Sequence, residues 1–241
     1  MGLIAMTSFA AQAQQKSDFE TDNRTAIVLT DPQIDFMDEK GKGWGVFGES
    51  VIQNKTREHI AQILEVASKK NILVFVSPHY YYRHDHVWHF EGPVEKMMHE
   101  NGMFERTSPV SGDGFEGSGA DWYAPFKTLL AGKNVIVTSP HKVFGPQTND
   151  LVLQMRKRGI DKVIIMGMAG NMCSESHLRD LQEEGFNAAV VFDATASARI
   201  PAQQINGDAA ALNNFKMLAT KVYNTSELLD QWKGLKVFAD K

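Results

Sequence analysis

The chain has 241 residues, of which 43% are hydrophobic and 22% charged, a balance that suits one α/β domain with a sizeable core and argues against disorder. A net charge of −4 without a clustered Lys/Arg stripe leaves no electrostatic footprint for nucleic acid. One cysteine, Cys173, excludes an internal disulfide and by itself says nothing about compartment.

At the N-terminus, Gly2–Ala11 is apolar or small and ends in Ala11-Gln12-Ala13, a small-x-small pattern like a signal-peptidase site. Residues 1–24 therefore read as a signal peptide and linker, and the protein as exported or periplasmic, with a cytoplasmic location as the alternative. The apolar run is too short to span a bilayer. Residues 25–241 are expected to form the domain.

Thr25–Thr30 (TAIVLT) reads as a buried parallel strand, followed at once by Asp31-Pro32-Gln33-Ile34-Asp35-Phe36. An acid at the carboxyl end of the first strand lies where open α/β sheets bind ligands; a turn-capping role is the alternative. Gly41–Gly48 reads as a loop presenting Trp44 and Phe47, Val51–Lys70 as one amphipathic helix, and Ile72–Val76 as a second strand. Ser77–Phe126 is a loop-rich insertion, a candidate lid or interface, carrying His79, Tyr81, His86, Trp88, Phe90 and His99. Its histidines match no helical zinc spacing and read as surface or pocket lining rather than as a metal set.

Asn134–Thr138 is a third strand, with Lys142 close behind it, and Thr148-Asn149-Asp150 opens a helix that runs to Arg158. Val163–Met166 is the fourth strand, Gly167–Met172 a tight turn, and Ser174 onward a helix with Leu178 and Leu181 on one face. Cys173 sits at that strand-to-helix junction, where a helix N-terminus favours a thiolate nucleophile; a buried apolar packing role is the other reading. Asn187–Phe192 and Lys221–Tyr223 complete the strands, with helices at Ala209–Ala219 and Ser226–Trp232. The alternation predicts a three-layer, Rossmann-like α/β fold with a six-stranded, mainly parallel sheet, its strand order left open. In such a sheet Asp31, Lys142 and Cys173 all lie at one edge.

Three stretches carry a resemblance: IVLTDPQIDF, Lys142 followed by Thr148 and Asp150-Leu151, and MGMAGNMCSESHLRDLQEEGFNAAVVFDATAS. Together they resemble the isochorismatase-like cysteine hydrolases, which include nicotinamidases and related amidases, from about Thr25 to Tyr223. Around Lys142 that family's usual Ser-Ala-Phe is absent and Val-Phe-Gly-Pro stands instead. The resemblance implies Cys173 as nucleophile, Asp31 as general acid/base and Lys142 as the residue holding the pair charged and oriented. It further implies an oxyanion hole from the N–H groups of Ala169 and Cys173, a cis peptide at Met168–Ala169, and a homo-oligomer. The implied activity is hydrolysis of a small amide or related C–N bond through an acyl-thioester.

Nicotinamidases of this family hold a metal with an Asp-x-His and a further His. Here Ser77-Pro78-His79 has Ser in the place of that Asp, so no metal cofactor is expected. Phe36, Trp44, His79, Tyr81, His86 and Trp88 are the expected pocket lining. A thiol-based redox protein and a non-catalytic binding module on the same fold are the rival readings.

Overall fold

A computed structural model describes residues 19–240, so most of the expected signal-peptide segment lies outside the described residues. One sheet contains β1 (Thr25–Thr30), β2 (Leu73–Ser77), β3 (Val135–Val137), β4 (Lys162–Met168), β5 (Asn187–Ala196) and β6 (Lys221–Tyr223). Its order is β6-β5-β4-β1-β2-β3, and every neighbouring pair is parallel. Chain order therefore reverses direction between β1 and β4. The crevice at such a switch point is where a doubly wound sheet places its ligand.

The helices, in chain order, are α1 (Ile34–Met37), α2 (Trp44–Gln53), α3 (Thr56–Lys70), α4 (Pro93–Asn101), α5 (Lys127–Leu130), α6 (Leu151–Lys157), α7 (Cys173–Glu183), α8 (Gly207–Leu218) and α9 (Thr225–Trp232). Strand side chains alternate between two faces, which splits the core into two layers. Ile27, Leu29, Val74, Val76, Ile164 and Met166 share one layer with Ile60, Ile63 and Leu64 of α3 and with Leu228 and Trp232 of α9. Ala26, Val28, Phe75, Val163 and Ile165 share the other with Met155 of α6, Leu178 and Leu181 of α7, and Phe215 of α8. Each fully buried aliphatic side chain contributes about 1.5–3 kcal/mol. The continuous apolar runs of β1 and β4 are the sequence imprint of burial on both faces.

The expected loop at Gly41–Gly48 and single helix at Val51–Lys70 are corrected. A helix already begins at Trp44, and the run is cut between α2 and α3, where Lys55 has a left-handed φ of 51°. Gly48 lies inside α2, and a Cβ there would run into the Trp44 ring, so this glycine serves packing rather than a turn. Asn54 Nδ2 and Thr56 Oγ1 both donate to the Thr195 carbonyl, at 3.1 and 3.0 Å, fixing the break against the end of β5.

The insertion after β2 is also more regular than expected. It holds α4 and a short parallel pair, Tyr81–Tyr82 with Glu105–Arg106. Pro93 opens α4, and the Glu95 carboxylate accepts the Gly92 N–H at 2.7 Å, a start signal that the surrounding aromatics mask in the sequence. Two buried side chains from the segment after β1 tie the insertion down. The Phe104 N–H donates to Asp35 Oδ2 at 2.7 Å, and Gln33 Nε2 donates to the His79 and Ala120 carbonyls at 2.8 and 2.9 Å.

Candidate active site

Asp31 follows β1 directly and is fully buried, with a left-handed φ of 48°, a region that Asp enters more readily than most residues. Its N–H donates to the Ser77 carbonyl at 3.1 Å, so the turn after β1 is anchored on the neighbouring end of β2. Cys173 is the first residue of α7 and is 1% exposed. Between it and β4 runs a turn in which the Met168–Ala169 peptide is cis. Gly167 supports this turn with a φ of 113° and lies so close to Thr30 that a Cβ would collide with the backbone of β1. The two central strands thus bring Asp31 and Cys173 together.

Two histidines complete the cluster. One ligating atom from each of Asp31, His79, His141 and Cys173 falls within 4.8 Å of all the others, and all four residues are buried. The His141 Nε2–H donates to Asp31 Oδ1 at 2.8 Å, which leaves Asp31 Oδ2 without a hydrogen-bond partner. The His79 ring stacks on Phe104 at 5.1 Å and meets the edges of Tyr81 and His141 at 4.6 and 4.8 Å. Neither of its nitrogens has a partner.

Lys142, expected beside Asp31 and Cys173, is elsewhere. Its Nζ donates to Asp85 Oδ2 at 2.6 Å and to the Tyr80 carbonyl at 3.0 Å, and it sits 3.8 Å above the Tyr82 ring. The reason is the path of the chain beyond β3. That strand lies at the sheet edge, and its continuation pairs with the segment after β2: His141 bridges to His79, and the His141 N–H donates to the Pro78 carbonyl at 2.9 Å. Adjacent residues of an extended segment point to opposite sides, so His141 faces Asp31 while Lys142 turns outward. The structure brings together Asp31, Cys173 and the residue preceding the expected lysine.

Burial first, then the charge of Asp31, push the Cys173 thiol well above its ordinary pKa; the N–H groups of Ala169 and Cys173 oppose that shift. The resting sulfur is therefore a thiol, and a base is needed to make it a nucleophile. Burial, followed by the nearby charges of His141, Lys142 and His99, holds His79 well below its ordinary pKa, so it is neutral.

A second hydrogen-bond chain supports Cys173 from behind. Asn149 Nδ2 donates to Ser77 Oγ at 2.8 Å, Ser77 Oγ lies 2.8 Å from His177 Nε2, and His177 Nδ1 lies 2.7 Å from the Cys173 carbonyl. Burial, and after it His141, push the His177 pKa down to about 3. The neutral ring then donates from Nδ1 to the carbonyl and accepts the Ser77 hydroxyl at Nε2. His177 was missed in the sequence, although its spacing of four from Cys173 puts it on the same helix face.

The expected pocket residues divide. Tyr81 is buried among His79, His99 at 4.2 Å and Trp88 at 5.8 Å, and the His86 ring lies tilted against His99 at 4.4 Å, so Tyr81, His86 and Trp88 form an aromatic cluster whose inner end is His79. Phe36 instead packs in the core against Phe47 and Phe104, at 4.7 and 4.8 Å. Trp44 packs on the same core beneath the Arg57 guanidinium. The nicotinamidase-type metal set does not fit. Ser77 in the acid's place spends its hydroxyl on His177 and Asn149, and Tyr81 lies between His79 and His86.

A protein of Escherichia coli O157:H7, the uncharacterized isochorismatase family protein YecD, is 35% identical over 81 residues, a match covering 34% of this chain and 40% of that protein. Among solved structures, a cysteine hydrolase from Pseudomonas syringae pv. phaseolicola 1448A shares the fold with a TM-score of 0.68 at 17% identity, over 88% of this chain and 93% of that one. An isochorismatase family protein from Desulfovibrio vulgaris subsp. vulgaris str. Hildenborough does so with a TM-score of 0.64 at 20% identity, over 87% and 98% of the two chains. The sequence pattern of the isochorismatase domain matches residues 25–227, a span that contains the whole sheet and the buried Asp–His–His–Cys cluster, and the chain belongs to the isochorismatase domain family.

Proposed function

We propose that the protein is a cysteine hydrolase that cleaves a small amide or related C–N bond through an acyl-thioester, with Cys173 as nucleophile, Asp31 as general acid/base and His141 as the residue that orients Asp31. The carrying observation is the convergence of the buried Cys173 sulfur and the Asp31 carboxylate, with the second oxygen of Asp31 held by His141 at 2.8 Å.

In the proposed cycle, Asp31 takes the thiol proton as Sγ attacks the carbonyl carbon and the C=O electron pair moves onto oxygen. The N–H groups of Ala169 and Cys173 receive that oxyanion; loss of one such donor typically costs about 3–4 kcal/mol of transition-state stabilisation. Collapse of the intermediate breaks the C–N bond while Asp31 returns the proton to the leaving nitrogen. Water, deprotonated by Asp31, then attacks the thioester carbonyl; the acid departs and the sulfur regains a proton. His141 acts through Asp31, because its N–H occupies Oδ1 and leaves Oδ2 for proton transfer. The aromatic cluster of Tyr81, His86 and Trp88 supports binding of a flat or apolar substrate group beside His79.

A redox-sensor role is not favoured by the site, since sensing thiols are exposed and of low pKa, whereas Cys173 is buried and its pKa is raised. The test is intact-protein mass spectrometry after exposure to a panel of small amides and the corresponding esters. An acyl adduct that maps to Cys173 and disappears in Cys173→Ala is expected. Turnover that survives Cys173→Ala, or the absence of both adduct and turnover across the panel, would overturn the assignment.

A further inference from the structure

We propose that Asp31, His79, His141 and Cys173 also form a binding site for a thiophilic divalent cation, zinc foremost, and that the bound ion holds the centre inactive. The four residues follow the ends of β1, β2, β3 and β4, so each of four adjacent strands delivers one donor to the same point. Their ligating atoms already lie within 4.8 Å of one another. Around a tetrahedral zinc, with Zn–N near 2.0 Å and Zn–S near 2.3 Å, neighbouring donors stand roughly 3.3–3.8 Å apart. The widest pair therefore needs to close by about 1 Å.

A second observation points to a ligand independently of the cysteine. Both nitrogens of fully buried His79, Asp31 Oδ2 and His141 Nδ1 have no hydrogen-bond partner. Buried polar atoms are nearly always satisfied, because one left without a partner loses its water and gains nothing in return. An acid/base and nucleophile pair accounts for Asp31 Oδ2. It does not account for His79, whose ring is packed edge and face by Tyr81, Phe104 and His141 yet bonds to nothing.

The donor chemistry is that of zinc rather than of magnesium or calcium, because a thiolate and two imidazoles are too soft for the latter. One carboxylate and one thiolate balance the 2+ charge. On binding, the Cys173 sulfur gives its proton to solvent and both histidines ligate through a lone pair, so the ion occupies the two groups that amide cleavage requires. This set shares neither Ser77 nor His86 with the nicotinamidase-type arrangement.

The probe is cobalt(II), added to the chelator-treated full chain. One equivalent is expected to bind with a thiolate-to-cobalt charge-transfer band in the near ultraviolet and the strong visible bands of a tetrahedral ion, all removed by one equivalent of zinc. Zinc is also expected to protect Cys173 from iodoacetamide. Cys173→Ser should abolish the charge-transfer band, and His79→Phe, which keeps the ring packing, should weaken binding at least tenfold. Absence of the band in the parent protein, its persistence in Cys173→Ser, or unchanged affinity in a folded His79→Phe would overturn the proposal. If His79→Phe does not fold, the parent and Cys173→Ser spectra decide alone. None of these readouts needs a substrate. An amidase without the cobalt band would lose only the metal site, and a cobalt-binding protein that forms no acyl adduct would lose only the hydrolase reading.

Discussion

At the centre of the sheet, β1 and β4 hand over within a few residues to Asp31 and Cys173; at its edge, β3 hands over to a loop that must cross the end of β2 before it reaches the same point. In the first region the strand ends themselves set the side-chain positions, because both strands are packed on both faces and leave the turn little freedom. In the second, position depends on which residue the loop pairs with His79, and a single step along the chain exchanges an imidazole for an ammonium. A residue's distance from its strand is thus a sound guide at the switch point and a poor one at the margin.

The sharpest way to break this comparison is at the centre. Cys173→Ala should reduce turnover of any substrate by about 10⁴-fold or more while the cooperative unfolding transition remains, as followed by steady-state kinetics and thermal denaturation. The next largest effect sets the two margin residues against each other. His141→Ala should lower kcat by roughly 10²–10⁴-fold. Lys142→Ala, which breaks the ion pair with the buried Asp85, should leave kcat within about tenfold and destabilise the fold by roughly 1–3 kcal/mol. The reverse ranking would restore Lys142 to the site and sink the argument from alternation.

Asp31→Asn should separate two effects that a purely structural role would not. Asp31 raises the thiol pKa, so its neutralisation should speed alkylation of Cys173 by iodoacetamide at neutral pH even as amide turnover falls by about 10²-fold or more. Alkylation and turnover declining together would mean that Asp31 does not face the sulfur.

The pH dependence of stability is a smaller effect. His79 and His177 are neutral in the fold, their pKa values lowered by burial, and take up protons only on unfolding. Their contribution is therefore complete above about pH 6.5 and is lost as pH falls below it, for His177 down to about pH 3, at about 1.4 kcal/mol per pH unit for each proton. Chemical denaturation at pH 7 and pH 5 should show the loss, and His177→Gln should reduce the slope. Smallest of all, Val137→Thr on β3, where the side chain is 48% exposed, should change stability by about 0.5 kcal/mol or less. Ile27→Ala in β1 should cost about 2–5 kcal/mol.

The sequence by itself determined the layers and the family. Short β-branched apolar runs at β1 and β4, each bounded by turn signals, read as strands buried on both faces, and α3, α7 and α9 show their apolar stripes at helical spacing, so the parallel sheet and the place of Asp31 and Cys173 were legible. Local signals also carried β6 to its observed bounds, Lys221–Tyr223. What the sequence did not determine was decided by contacts between distant segments. The strand order follows from which runs pair, and the choice of His141 over Lys142 follows from a bridge to His79 sixty-two positions earlier. Within α2 the Trp44 ring folds over Gly48, and the rings of Phe104 and Tyr81 close around His79, whose nitrogens have no partner. Periodicity reports whether a side chain is buried. Which partner it meets there is a property of the assembled sheet, since hydrogen bonds and ligand sets are made between strand ends that the chain separates by dozens of residues.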